Sequence, residues 1–150
     1  MALTSDFVDN HIATWQNKLD KQFYPYRKHW PSCLFHHAPL ENAIAILNDG
    51  VLKSRDACSS TRPNDVAAPD VIATRNEAHC KVRLYFRPKT PTQWNIEGIR
   101  KIGECPYGET THAPVLIMFV LDAKKILTNP SVEFSNKNMQ KMDVQTGNTE

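Results

Sequence analysis

Val82-Arg83-Leu84-Tyr85-Phe86-Arg87-Pro88-Lys89-Thr90-Pro91-Thr92-Gln93-Trp94 is the stretch on which the reading of this chain turns. Val82, Leu84 and Phe86 alternate with Arg83, Tyr85 and Arg87, a period of two that predicts a strand with one face in the core, and Pro88 ends its ladder. Lys89, Thr90 and Thr92 then stand among prolines that restrict the backbone, so cations, hydroxyls and the Trp94 indole are displayed on a stiff loop. That chemistry suits phosphates and bases. The plainer reading is an edge strand followed by a solvated turn.

Composition narrows the classes. At 150 residues the chain is long enough for one domain with a single core, and we expect residues 1–150 to form it. A formal net charge of +2 is too small to diagnose a polyanion binder, which needs local clusters of cations. Cys33, Cys58, Cys80 and Cys105 lie far apart with no C-x-x-C pair, so no metal site is expected and reduced thiols of a cytoplasmic protein are. The longest apolar run, residues 115–121, is far short of a bilayer span, and Asp6 and Asp9 stand where a signal peptide carries cations. No membrane partner is expected.

Outward from the central stretch, Ser5 can cap a helix over residues 6–21, with Val8, Ile12, Trp15, Leu19 and Phe23 as its apolar stripe. Tyr24-Pro25-Tyr26-Arg27-Lys28-His29-Trp30-Pro31 mixes rings and cations; it can stack bases or pin the first helix to the domain. Residues 33–36 read as a short strand and residues 40–48 as a helix with Leu40, Ile44 and Leu47 inward, closed by Gly50 at the C′ position. His36 and His37 then stand at a strand-to-helix junction, where a histidine either meets a ligand or is structural. Residues 54–70 lack periodicity and predict a long irregular loop, and residues 95–108 a surface excursion. Residues 114–122, an uninterrupted apolar run bounded by Pro114 and Asp122, predict a strand covered on both faces, beside residues 82–86. A helical turn over residues 122–127 and a strand over 132–135 follow, and the polar residues 136–149 offer no further strand. The elements predict an α+β domain.

No P-loop, Rossmann, zincin or nucleophile-elbow motif is present. Leu34-Phe35-His36-His37-Ala38-Pro39-Leu40-Glu41-Asn42, followed by Ile46-Leu47 and Gly50-Val51-Leu52, resembles the opening motif of the DarT-type ADP-ribosyltransferases. Residues 82–91 are similar to that family's second motif, a Tyr-Phe strand ending in Pro-basic-hydroxyl-Pro. The likeness covers residues 33–150 and leaves an N-terminal helical extension, residues 1–31, outside it. Ala38 and Pro39 depart from it, standing where the family commonly has Thr and His.

The resemblance implies an ADP-ribosyltransferase-like split β-sheet core preceded by the N-terminal helix. It implies NAD as substrate, a base of single-stranded DNA or RNA as acceptor, a role as toxin or phage-defence effector, and a neutralising antitoxin. It carries cofactor contacts onto His36, His37, Ala38, Leu52 and Tyr85, and catalysis onto Arg75 and Glu150, with Arg62 as the other arginine that fits. Arg83, Arg87, Lys89, Thr90 and Trp94 would hold the nucleic acid. The chemistry asks for such a set: breaking the nicotinamide–ribose bond builds positive charge at the anomeric carbon, and a carboxylate on the ribose hydroxyls stabilises it. Because a terminal acid needs an anchoring element, we expect the chain to lack its C-terminal end or to be completed by a partner.

Overall fold

A computed structural model describes residues 3–21, 24–67, 72–73, 78–139 and 143–149. The chain divides into two compact units, Met1–Phe35, Tyr85–Pro88 and Val120–Glu150 in one, His36–Leu84 and Lys89–Phe119 in the other. Helices α1 (Ser5–Asp20), α2 (Leu40–Asp49), α3 (Pro91–Ile96) and α4 (Ala123–Leu127) accompany strands β1 (Cys33–Pro39), β2 (Leu116–Asp122), β3 (Phe134–Ser135) and β4 (Thr146–Gly147). This is a mixed α+β chain. Its described sheets are two pairs, β1 with β2 and β3 with β4, and they do not make up the expected split core.

In the first unit α1 begins one residue earlier than expected, because the Thr4 hydroxyl, not Ser5, accepts the Phe7 amide at 3.3 Å. Val8 is 1% exposed and carries the inward face of α1, with Ile12 and Leu19 half-buried beside it. Trp15 of the expected stripe stays exposed, and Phe23 lies outside the described residues. The 3₁₀ segment Pro25–Ser32 and α4 pack on α1, and Lys124 ties α4 to Asp9 at 2.6 Å. Asp122 caps α4 through the Lys125 amide at 3.0 Å, so the helical turn expected over residues 122–127 begins at Ala123. Residues 136–149 do contain a strand: β4 pairs antiparallel with β3, Phe134 opposite Gly147 and Ser135 opposite Thr146. Asn136 and Gln145 close this hairpin with amide and side-chain bonds, so a polar sequence pairs without an apolar pattern.

The second unit departs further from expectation. In α2 the inward face is Ala43, buried, with Asn42 and Ile46, whereas Leu40, Ile44 and Leu47 look outward, Leu47 being 69% exposed. A close-packed Ala and an inward Asn that finds partners outcompete the larger apolar face. Gly50 ends α2 at φ 65°, the left-handed conformation that suits glycine. The Leu40 amide bonds the Val115 carbonyl at 3.1 Å and the His36 ring lies 6.4 Å from Phe119, so four steps back along one strand match four forward along the other. β1 and β2 are therefore antiparallel. No residue of β2 is buried, against the expectation of a strand covered on both faces, because its sheet has only one other strand among the described residues.

Residues 82–86 do not form a strand. Tyr85 alone makes an isolated antiparallel bridge, and its partner is Phe35 of β1 rather than any residue of β2. Val82 and Phe86, expected inward, are exposed. The expected surface excursion, residues 95–108, instead contributes core: Ile96 and Cys105 are buried, as are Thr111 and Ala113 just beyond it, and Glu97 and Ala113 form a parallel bridge. A Cβ on Gly98 would lie 2.1 Å from the Pro114 carbonyl oxygen, so only glycine admits this backbone crossing. Gly98→Ala is expected to lower stability by about 1–3 kcal/mol in urea titration, the usual cost of overpacking. Gly103→Ala, whose added Cβ meets nothing within 4 Å, is the matched control and should change little.

Candidate functional site

β1 carries the histidines along its length rather than at its end, so His36 and His37 point to opposite faces. His36 Nδ1 lies 3.1 Å from the Arg83 carbonyl oxygen. A carbonyl only accepts, so Nδ1 carries the hydrogen and donates it, and Nε2 of the neutral ring is left as an acceptor. Burial lowers the His36 pKa below 6.5; the Arg83 carbonyl works the other way, and the charges of His37 and Arg83 add to the lowering. The ring is therefore neutral at physiological pH, with one nitrogen fixed in role. Ala38 is buried, so it can meet a ligand only through its backbone. Leu52 is half-buried just beyond the Gly50 turn. Tyr85, in the first unit, exchanges 2.8 Å amide–carbonyl bonds with Phe35 in both directions.

Over residues 54–67, the described part of the expected irregular loop, the chain has neither helix nor strand and is latched. Asn42 donates from Nδ2 to the Asn64 carbonyl at 2.7 Å and accepts the Asn64 amide at 2.9 Å. Arg55 grips Asp65 with two bonds, at 2.9 and 2.5 Å, and Arg62 reaches the same carboxylate at 3.3 Å. Burial raises the Asp65 pKa, but the Arg55 hydrogen bond, the Ala67 amide and the charges of Arg55 and Arg62 outweigh it and hold the carboxyl below 3.8. Arg62 also donates to the Arg55 carbonyl at 3.4 Å and the Cys58 sulfur at 3.7 Å, so its guanidinium is spent on the loop. Arg75 and Glu150 lie outside the described residues.

The basic stretch is a helix start. Thr90 caps α3 by accepting the Gln93 amide at 3.2 Å, and Pro91 occupies the first turn. Arg83 is half-buried, while Arg87 and Lys89 are exposed. Trp94 is exposed on α3 with the Arg100 guanidinium 5.4 Å from its ring centroid, and Arg100 Nε donates to the Trp94 carbonyl at 3.1 Å. Arg100 was not among the expected contacts. Its separation of six residues from Trp94 gives no helical signal; the turn after α3 brings it back.

Among the described residues no group of three metal-ligating side chains is present. The profile of the family described as ssDNA thymidine ADP-ribosyltransferase, DarT, matches residues 35–150. The chain belongs to the DarT family. No curated protein and no solved structure matches it. DarT membership carries ADP-ribosyl transfer to single-stranded DNA, and the matched span holds every expected site residue, including His36, Arg75, Tyr85 and Glu150.

Two outcomes follow from the geometry. The folded chain binds a proton at His36 less readily than the unfolded chain, so this group's stabilisation is complete above pH 6.5 and is lost as pH falls toward the lowered folded value. Thermal melting from pH 7 downward should therefore decline less steeply in His36→Asn, which keeps a donor for the Arg83 carbonyl and does not titrate. Asn42→Ala removes both latch bonds and should speed hydrogen exchange at the Asn64 amide by the equivalent of about 1–3 kcal/mol.

Proposed function

We propose that the chain transfers ADP-ribose from NAD to a base of single-stranded nucleic acid, DNA in preference to RNA, and serves as a toxin or phage-defence effector held in check by an antitoxin. The family match over residues 35–150 carries this reading. The neutral His36 supports it: a ring with Nδ1 committed to Arg83 offers Nε2 as an acceptor to a ribose hydroxyl or the nicotinamide amide. His37, the Ala38 backbone, Leu52 and Tyr85 complete the dinucleotide contacts in this reading. Arg75 orients the NAD phosphates and polarises the acceptor, and the Glu150 carboxylate stabilises the positive charge that develops at the anomeric carbon. The acceptor base must be unpaired for its ring nitrogen to attack C1′ as nicotinamide departs, its proton passing to a base or to water. Arg83, Arg87, Lys89, Thr90 and Trp94 hold the strand by phosphate contact and stacking. Thr90 accepts the Gln93 amide in its cap and retains its own hydroxyl hydrogen for a phosphate oxygen.

Labelled NAD incubated with DNA and RNA oligonucleotides should label DNA; no label at any protein concentration would leave a non-catalytic strand- or protein-binding module of the same fold. Label on lysate proteins in place of oligonucleotides would mark a protein-modifying transferase. His36→Ala should weaken NAD binding by about 1–3 kcal/mol in calorimetry, the cost of leaving a buried ligand group unpaired. Arg87→Ala with Lys89→Ala should flatten the salt dependence of oligonucleotide binding and spare NAD binding. Glu150→Gln should stop transfer and leave NAD affinity intact; retained transfer would direct the search to Glu97, Glu109 and Glu133.

A further inference from the structure

We propose that the N-terminal layer, α1 with Tyr24 and the 3₁₀ segment Pro25–Ser32 that follows it, is a second contact for single-stranded DNA, in which Tyr24 and Tyr26 stack on bases while Arg27 and Lys28 meet phosphates. The inference rests on the reading that the substrate is single-stranded DNA. It lies outside what the family match carries, since that match begins at residue 35.

The rings are displayed and held. Tyr26 is 60% exposed and Tyr24 41%, large apolar surfaces left in water beside a half-buried Trp30 that anchors the segment. Tyr24 and Tyr26 meet edge to face at 5.8 Å, and Tyr26 and Trp30 at 6.4 Å. The Arg27 guanidinium lies 4.3 Å from the Tyr24 ring centroid, 5.2 Å from Trp30 and 5.9 Å from Tyr26. Rings fixed around a cation lose little further freedom when a base stacks on them, which favours binding. Arg27 makes no ion pair among the described residues, so no carboxylate neutralises it there.

Charge and shape select the occupant. Between residues 15 and 31 the sequence carries Lys18, Lys21, Arg27 and Lys28 against Asp20 alone, a local excess of cations. Lys28 reaches Asp20 at 3.3 Å, but both side chains are exposed and such a pair contributes little, so a phosphate can replace the carboxylate. A groove of about 290 Å³ opens between the two elements, lined by Gln16, Asn17, Asp20, Lys28 and His29. Amides, a carboxylate and an imidazole can hydrogen-bond the edges of a base. The lining has no apolar side chain to receive a hydrophobic peptide, which argues against a protein ligand here.

The test is fluorescence anisotropy with thymidine oligonucleotides of about 8 and about 24 nucleotides, lengths bracketing a single binding channel, in the absence of NAD. Tyr26→Ala should weaken binding of the longer strand by about fivefold or more, the loss of one base–aromatic stack, and Tyr26→Phe should bind as the wild type does. Tyr24→Ala with Tyr26→Ala should erase the advantage of the longer strand. Because Tyr26 is largely exposed, its substitution should lower the melting temperature only slightly. Wild-type affinity in Tyr26→Ala, or equal losses in Tyr26→Ala and Tyr26→Phe, would overturn the proposal. The outcome is separable from the transferase reading: binding lost in Tyr26→Ala, by a wild type that labels no oligonucleotide, upholds the contact and removes the transferase.

Discussion

The clamp between β1 and residues 83–85 is the constraint on which the candidate site depends. Phe35 and Tyr85 exchange both backbone hydrogen bonds, and the next residue of β1, His36, holds the Arg83 carbonyl through its side chain. Three hydrogen bonds from two consecutive residues fix a segment that has no ladder of its own. Each is modest in net free energy, but leaving any of these groups buried without a partner costs more than the bond contributes. The same contact that places the segment also fixes which nitrogen of His36 accepts, so a structural bond and a chemical property have one origin.

Within the second unit, hydrogen bonds take over work that large apolar side chains do elsewhere. Its buried apolar residues among those described are Ala38, Ala43, Ala78, Ile96, Cys105 and Ala113, most of them small. Around them the Asn42–Asn64 pair and His112 Nε2 on the Arg100 carbonyl at 2.9 Å join segments 22 and 12 residues apart, and Cys105 with Thr111 at 3.1 Å ties a local turn. Small side chains let backbones approach, and the approach puts polar groups within bonding distance. Gly98 under Pro114 is the extreme of the same tendency.

What the sequence revealed follows from which signals are local. The cap and length of α1, the glycine that ends α2, the helical turn of α4 and the apolar run of β2 are decided by neighbours in the chain, and each stands within a residue or two of its expected place. The facing of α2 is not local: Leu40, Ile44 and Leu47 and the Asn42, Ala43 and Ile46 face both satisfy helical spacing, and the partner Asn64 decides between them. Thr90-Pro91 is a legible helix start, a capping residue before a proline at the first position, and reading it as a stiff loop missed α3. The alternation of residues 82–86 was too short to force a ladder, since strand preference depends on what lies alongside. Of the candidate site, the family motifs were legible, whereas the Asn42 latch, the Asp65 ion cluster and Arg100 over Trp94 depend on turns that no periodicity announces.

The small apolar core of the second unit also bears on temperature. Heat capacity rises on unfolding in proportion to the apolar surface exposed and falls with the polar surface, so a unit that buries alanines and hydrogen-bonded amides has a small heat-capacity change. Its stability curve is then broad and shallow. Cooling costs such a unit little, because the part of its stability that weakens in the cold is the part it uses least.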